Sequence, residues 1–227
     1  MNVAGKAAFI TGGGGMLGRQ WSAALGKAGA IVHNLDVPQF NVTDSECLHE
    51  ALQLFGVPEV LICAAAIDAK PGQDAPTDPY QAWDNIIRVN LTGVAQTCQV
   101  IGNAMTPGGS IILIGSMYGM VGPDQRRYDG FVKPAAYSAS KAALYGLCRY
   151  LAVLLGPRGV RVNCVTFGAM SSPSHPPRFV ESMRSAIPLG RLAEPGEWNG
   201  PILFLASDAS SYMTGANIVV DGGYTAW

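Results

Sequence analysis

Tyr137 and Lys141, in the run Tyr137-Ser138-Ala139-Ser140-Lys141, stand one helical turn apart. A four-residue step on an α-helix turns through roughly 400°, so the phenol and the ammonium project from one face. A fixed cation there favours the phenolate, and each unit of lowering from the ordinary tyrosine pKa near ~10 takes about 1.4 kcal/mol. The pair is a candidate general acid/base. Taken alone, a surface tyrosine with an unrelated lysine a turn later would explain it as well. Two other features weigh against that: a glycine cluster within Thr11 to Gly18 and an acid at Asp36. The three together point to nicotinamide-dependent redox chemistry.

Gly13-x-Gly15-x-x-Gly18 lies between an expected first strand and first helix. Glycines there permit a tight turn, close approach of a pyrophosphate, and tight helix packing, with the helix N-terminus facing the phosphates. Four consecutive glycines could be a flexible loop, but the strand-loop-helix context favours cofactor binding. Asp36 ends the second strand, where a carboxylate accepts from both adenosine ribose hydroxyls and repels a 2′-phosphate. No basic residue occupies Gly13 to Gly15, so NAD is expected over NADP.

The elements that must hold these groups follow from periodicity. Short apolar runs at Ala7-Ile10, Ala30-Leu35, Val60-Ala64, Ser110-Ile114, Val160-Val165 and Asn217-Val220 alternate with helical stretches. Helices are expected at about Met16-Ala28, Asp44-Phe55, Pro79-Met105, Ala136-Leu155 and Pro195-Ala206, with Thr43-x-x-Glu46 as a capping box and Pro195 in a first turn. This alternation predicts an α/β fold: one doubly wound, mostly parallel sheet with helices on both faces, spanning 1–227 as one domain. The segments 117–134 and 168–188 are expected to be long loops on the substrate side. Between Asp36 and Asn41 there is no room for a crossover helix, so the third strand and its preceding helix are expected to be truncated, opening the adenine side.

Composition narrows the partners. The chain has 227 residues, 48% of them hydrophobic, enough for a sizeable core. A net charge of -1 with 14% charged residues gives no basic footprint for nucleic acid. No apolar run approaches the ~20 residues of a membrane span, and no signal peptide is expected before Ala7, so the expected location is cytoplasmic. Cys47, Cys63, Cys98, Cys148 and Cys164 are scattered without a Cys-x-x-Cys pair, and His33, His49 and His175 are dispersed, so neither disulfides nor a metal site is expected.

Along nearly its whole length the chain resembles the short-chain dehydrogenase/reductase superfamily, of the compact single-domain type. The motifs are Thr11-Gly12…Gly18, Val89-Asn90-Leu91-Thr92-Gly93, Gly115-Ser116, Tyr137-x-x-x-Lys141, Arg161-Val162-Asn163 and Val219-Val220-Asp221-Gly222-Gly223, in that order. The resemblance implies a catalytic tetrad of Asn90, Ser116, Tyr137 and Lys141. Tyr137 would exchange the substrate proton, Ser116 would hydrogen-bond the substrate oxygen, Lys141 would lower the Tyr137 pKa and hold the nicotinamide ribose, and Asn90 would fix a water. As a helix-interior amide, Asn90 could instead be bonded to backbone, and Ser116 could be a turn residue. The resemblance further implies a cofactor-binding set of Gly12, Gly15, Met16, Leu17, Gly18, Asp36, Asn41, Val42, Ala64, Ala65, Phe167, Gly168 and Met170 with Tyr137 and Lys141.

Three departures from the family pattern stand out. Met16 replaces a glycine. Cys63-Ala64-Ala65-Ala66 replaces Asn-Asn-Ala-Gly, which removes a hydrogen-bonding brace and puts the sheet geometry in doubt. Phe167-Gly168 replaces Pro-Gly, where a ring can press on the cofactor or simply fill space.

The stretch between Ser116 and Tyr137 is longer than the family's usual spacing and is expected to shape the substrate pocket. The run Ser116-Met117-Tyr118-Gly119…Pro123…Tyr128-Asp129-Gly130 is loosely similar to members of bacterial surface-sugar pathways. A polar, sugar-like substrate follows, with Ser116, Tyr118, Tyr128 and Tyr137 as candidate contacts. Arg126, Arg127, Lys133, His175 and Arg178 could meet a carboxylate or phosphate, or face solvent. The resemblance also implies a homotetramer or homodimer formed through the long helices and the last strand, and Trp227 could dock on a neighbouring subunit. The expected function is NAD-dependent interconversion of a secondary alcohol and a ketone. A non-catalytic NAD(H)-binding sensor or assembly protein, and an NAD-retaining sugar epimerase or dehydratase, are the alternatives.

Overall fold

Six short apolar runs form one parallel sheet, ordered β2-β1-β3-β4-β5-β6, in the computed structural model, which describes residues 1–69, 80, 82–128 and 130–227. The strands are β1 (Ala7–Thr11), β2 (Ile31–Leu35), β3 (Val60–Cys63), β4 (Ser110–Ser116), β5 (Arg161–Phe167) and β6 (Asn217–Val220). Every adjacent pair is parallel. β3 and β4 are buried along their whole length, as unbroken apolar runs must be when both faces of a parallel sheet are covered.

Strand alternation sends Phe9, Leu61, Ile111 and Leu113 into one core and Ala8, Ile10, Ile62 and Ile112 into the other. The first core is closed by α2 (Ser45–Phe55), by a rod containing α3 (Trp83–Ile87) and α4 (Val94–Thr97), and by α5 (Ala135–Leu155). The second is closed by α1 (Met16–Lys27) and α7 (Asn199–Ala206). The expected truncation is seen. After β2 the chain turns through Phe40, which packs its ring on Phe55, and enters α2 directly. Among the described residues, nothing pairs with the outer edge of β2.

Several local expectations are corrected. The cap of α2 is Asp44, whose carboxylate accepts from the Glu46 N–H at 2.9 Å, while the Thr43 hydroxyl donates to Asn41 at 2.9 Å. α7 starts at Asn199, not near Pro195. Glu197 is drawn into a bidentate pair with Arg191 and also accepts from the Glu194 N–H, which holds 194–197 as a turn. The 168–188 segment contains a helix, α6 (Pro177–Arg184). Its prolines suggested a loop, yet Pro177 sits in the first helical turn, where proline costs nothing. The start expected at Pro79 for the long helix lies outside the described residues. From Trp83 the rod runs on with π-helical segments at Arg88–Gly93 and Cys98–Gly102.

The sheet does not lack its brace. The Thr11 hydroxyl, at the end of β1, accepts from the Ala64 and Ala65 N–H groups at 3.1 and 3.3 Å. From the other side, the Asn90 amide takes both the N–H and the carbonyl of Ile67, at 2.8 and 2.9 Å. A side chain on β1 and one on the π-helical rod thus fix the segment that follows β3, which in the family pattern begins with asparagines. Thr11→Val keeps the shape but strands two amide donors, and unfolding by urea should show a loss of about 1–3 kcal/mol.

Candidate active site

The chemistry-bearing residues collect at the carboxyl ends of the strands, where ligands bind open parallel sheets. Ser116 closes β4, Phe167 closes β5, and Tyr137 and Lys141 occupy the first turns of α5. They line a cleft of about 250 Å³ together with Met16, Leu17, Ala64, Tyr118, Tyr128, Gly168 and Met170. Above it, Met117, Tyr118, Tyr128 and Phe131 pack against Phe179 and Met183 of α6 and against Tyr224, so the two long segments share a third small core.

Ser116 and Tyr137 line the same cleft wall, and the Ser116 Oγ accepts from the Tyr118 N–H at 3.2 Å. Lys141 is 5% exposed; its ammonium lies 5.8 Å from the centre of the Tyr137 ring and donates to the Ile114 carbonyl at 2.7 Å. Burial, with a contribution from nearby Lys133, lowers its pKa from 10.5 to about 8. Burial and then the Asp68 carboxylate push the Tyr137 phenol up, against the opposing effect of the Ser116 hydroxyl. A second ammonium, that of Lys133, lies closer to the phenol, 4.4 Å from the ring centre, and is ion-paired with Asp68. Asn90 is fully buried, and its side chain is spent on Ile67 with a longer contact to Ser140.

The glycine loop is shaped for a dinucleotide. Gly12 has φ +69°, and a Cβ there would lie 2.8 Å from Ala65; at Gly18 it would lie 2.4 Å from the Gly12 carbonyl. The turn therefore closes only with glycine. Gly15 caps α1, whose first N–H groups form a phosphate seat. Met16 is half exposed and turned to the cleft, so its replacement of glycine leaves the turn intact. The Gly14 N–H donates to Asp36 Oδ2 at 2.7 Å, which places that carboxylate beside the loop. These residues fit NAD.

Asn41 accepts from Thr43, and Val42 is buried against Gly93. Phe167 is stacked between Trp198 at 4.5 Å and Trp21 at 5.6 Å, a packing position that also reaches the cleft wall. Gly168 is pressed against Asp221, where a Cβ would come within 2.7 Å.

On the substrate side, Tyr118 and Tyr128 are both buried and hydrogen-bonded to each other through their hydroxyls, so they build the wall they line. Arg126 and Arg127 are paired with Asp124, and Arg127 also donates to the Ser182 carbonyl. Trp227 is mostly exposed, and its indole donates to Ala186 of its own chain. Two wall residues, Asp68 and Trp198, carried no motif or spacing signal. Lys133 was legible only as a loop cation.

A family profile described as enoyl-(acyl carrier protein) reductase matches residues 11–225. Trans-4-hydroxycyclohexanecarboxylate dehydrogenase of Sinomonas cyclohexanicum is 37% identical over 209 residues, 91% of this chain and 75% of that protein. Cyclohexanol dehydrogenase of Rhodococcus sp. (strain TK6) is 33% identical over 97% of this chain and 96% of its own. A short-chain dehydrogenase from Leptospira borgpetersenii, solved with bound NAD+, superposes with a TM-score of 0.86 at 27% identity, covering 99% of this chain and 94% of that one. The fold and site define a Rossmann-type oxidoreductase. The chain belongs to the short-chain dehydrogenase/reductase superfamily.

Two outcomes follow. Because the Lys141 pKa is depressed on folding, its burial opposes stability below about pH 8 and ceases to do so as pH rises from about 8 toward 10.5. Lys141→Met should therefore raise the unfolding free energy at neutral pH by up to about 3 kcal/mol, less the lost Ile114 hydrogen bond, and the gain should shrink in melts above pH 8. Asp36→Ser should weaken NAD+ binding roughly tenfold or more in fluorescence titrations and reduce discrimination against NADP+.

Proposed function

We propose that this enzyme oxidises a polar secondary alcohol to a ketone, and catalyses the reverse, with Tyr137 as general acid/base. The observation that carries this reading is the Tyr137 phenol with the ammonium groups of Lys141 and Lys133 at 5.8 and 4.4 Å from its ring, on the wall of the cleft that Ser116, Met16 and Leu17 share. NAD, when bound, supplies the hydride acceptor or donor at its nicotinamide carbon. Gly12, Gly15 and Gly18 with the α1 N-terminus hold its pyrophosphate, Asp36 its adenosine ribose, and Lys141 its nicotinamide ribose.

Ser116 donates to the substrate oxygen and so positions it beside the phenol. With its pKa held up by burial, Tyr137 rests protonated and is ready to give its proton to a carbonyl oxygen. In the oxidative direction it must first be a phenolate, and Lys141 and Lys133 are the cations that favour that form. Asn90 acts as a positioning residue: by holding Ile67 at both its N–H and its carbonyl, it sets the start of the segment that carries Asp68.

The relatives' alcohol substrates support the reaction class. Exposed Tyr150, Val153 and Leu154 on α5 support assembly as a homodimer or homotetramer. Among the described residues no helix is long and apolar enough to cross a membrane, which is compatible with a cytoplasmic enzyme.

Tyr137→Phe tests the assignment. NADH formation from alcohols such as cyclohexanol should fall by roughly 10²–10⁴-fold while NAD+ affinity stays near that of the unmodified enzyme. Near-normal turnover in that variant would remove Tyr137 from the chemistry.

A further inference from the structure

We propose that Asp68 and Lys133 together recognise a second hydroxyl of the substrate, one or two carbons from the one that reacts, and that the enzyme's substrates are neutral diols or polyols and the matching hydroxyketones. This inference rests on the alcohol-ketone reading above and names the substrate class for it.

Lys133 comes from the 117–134 insertion and Asp68 from the segment after β3. Their side chains are 2.5 Å apart at Nζ and Oδ2, and both are largely withdrawn from solvent, at 7% and 21% exposure. Lys133 also donates to the Ala69 carbonyl at 3.3 Å, and its ammonium lies 4.4 Å from the centre of the Tyr137 ring and 5.9 Å from that of Tyr118. Both members of the pair line the cleft that holds Ser116 and Tyr137. A charged pair set among Tyr118, Tyr128 and Phe179 is a poor device for stability, because an apolar pair of similar volume generally serves as well or better. It is also a poor device for catalysis if Asp68 acts alone, since that carboxylate opposes phenolate formation at Tyr137.

What the pair does offer is a strong donor and a strong acceptor side by side with no net charge. A hydroxyl is the group that can accept from the ammonium and donate to the carboxylate at once. A substrate carboxylate brings acceptors only and meets Asp68 with like charge. A bare methylene can neither accept from the ammonium nor donate to the carboxylate. The insertion's other cations do not alter this balance: Arg126 and Arg127 are committed to Asp124. The geometry is also held firmly, because Ile67, next to Asp68, is bonded at both its N–H and its carbonyl by buried Asn90.

The test is NADH formation by the full-length enzyme with three cyclic substrates matched in bulk: cyclohexanol, cyclohexane-1,2-diol and 2-hydroxycyclohexanecarboxylate. The expected result is a kcat/KM for the diol at least about tenfold above that for cyclohexanol, with the carboxylate poorest. In the double variant Lys133→Met/Asp68→Asn, which avoids leaving one ion buried alone, the diol-to-cyclohexanol ratio should collapse toward one. General structural damage would lower both rates and leave that ratio in place. Equal use of diol and mono-alcohol by the unmodified enzyme, or a diol preference that survives in the double variant, overturns the proposal. A preference for the carboxylate overturns it in favour of Lys133 as an anion receptor. No turnover of any of the three overturns the alcohol reading itself, and this inference with it.

Discussion

A lysine that is 5% exposed has lost most of its hydration, and one carbonyl 2.7 Å away together with the face of a phenol a helical turn earlier has to stand in for it. That exchange is unfavourable for the charged form, which is why the Lys141 pKa falls to about 8. The rest of the site exists to hold this arrangement in place. The carbonyl comes from Ile114 near the end of β4, and Ser116, two residues on, lines the same cleft wall as the phenol. α5 presses close to β4 at Gly115, where a Cβ would lie 3.0 Å from the Tyr145 ring, and the Tyr145 hydroxyl donates to the Ser116 carbonyl at 2.8 Å. Gly119 makes the same point from the insertion: a Cβ there would lie 2.7 Å from the Lys141 backbone. Stability is given up locally so that a phenol and an ammonium stay together in a dry wall.

The truncation at the sheet edge is tolerated because it removes little that the site uses. With no strand outside it among the described residues, β2 is mostly exposed or half-buried, yet its last residue, Leu35, is fully buried and its carbonyl accepts from the Gly12 N–H at 2.8 Å. Asp36 follows at once and is tied to Gly14. The glycine turn and Asp36 therefore brace each other across β1 and β2. The fold's economy falls on the adenosine side, while the insertion adds material on the substrate side.

The legible parts of the chain were those where a single residue type is forced by geometry. Gly12 and Gly18 are forced by contacts that leave no room for a Cβ, and Tyr137 with Lys141 by the pitch of a helix. The central strands β3 and β4 were legible because both of their faces are buried, so their sequences are dominated by apolar residues. What stayed hidden was set by long-range partners. Thr11 replaces a family brace from another strand, and nothing near it in sequence announces Ala64 and Ala65 as its donors. α6 was hidden by its prolines, whose ring is as compatible with a first helical turn as with a loop. Asp68 and Lys133 are separated by the long rod and β4, so only the folded chain brings them to the same phenol.

The electrostatics of that phenol are best viewed as one set of charges. Lys141 alone would make Tyr137 easier to ionise, and Lys133 alone would do so more strongly because it lies nearer the ring. Asp68 cancels much of the second effect, and burial works against ionisation throughout. With two cations and one anion around it in a low-dielectric wall, the tyrosine is left protonated at rest but surrounded by charge that favours its anion once solvent is excluded. The two lysines also repel each other, and this contributes to the low pKa of Lys141. Changing the state of either member of the Asp68–Lys133 pair therefore changes the balance at Tyr137. A substrate group that engages both members leaves that balance in place, whereas one that engages only the carboxylate or only the ammonium shifts it.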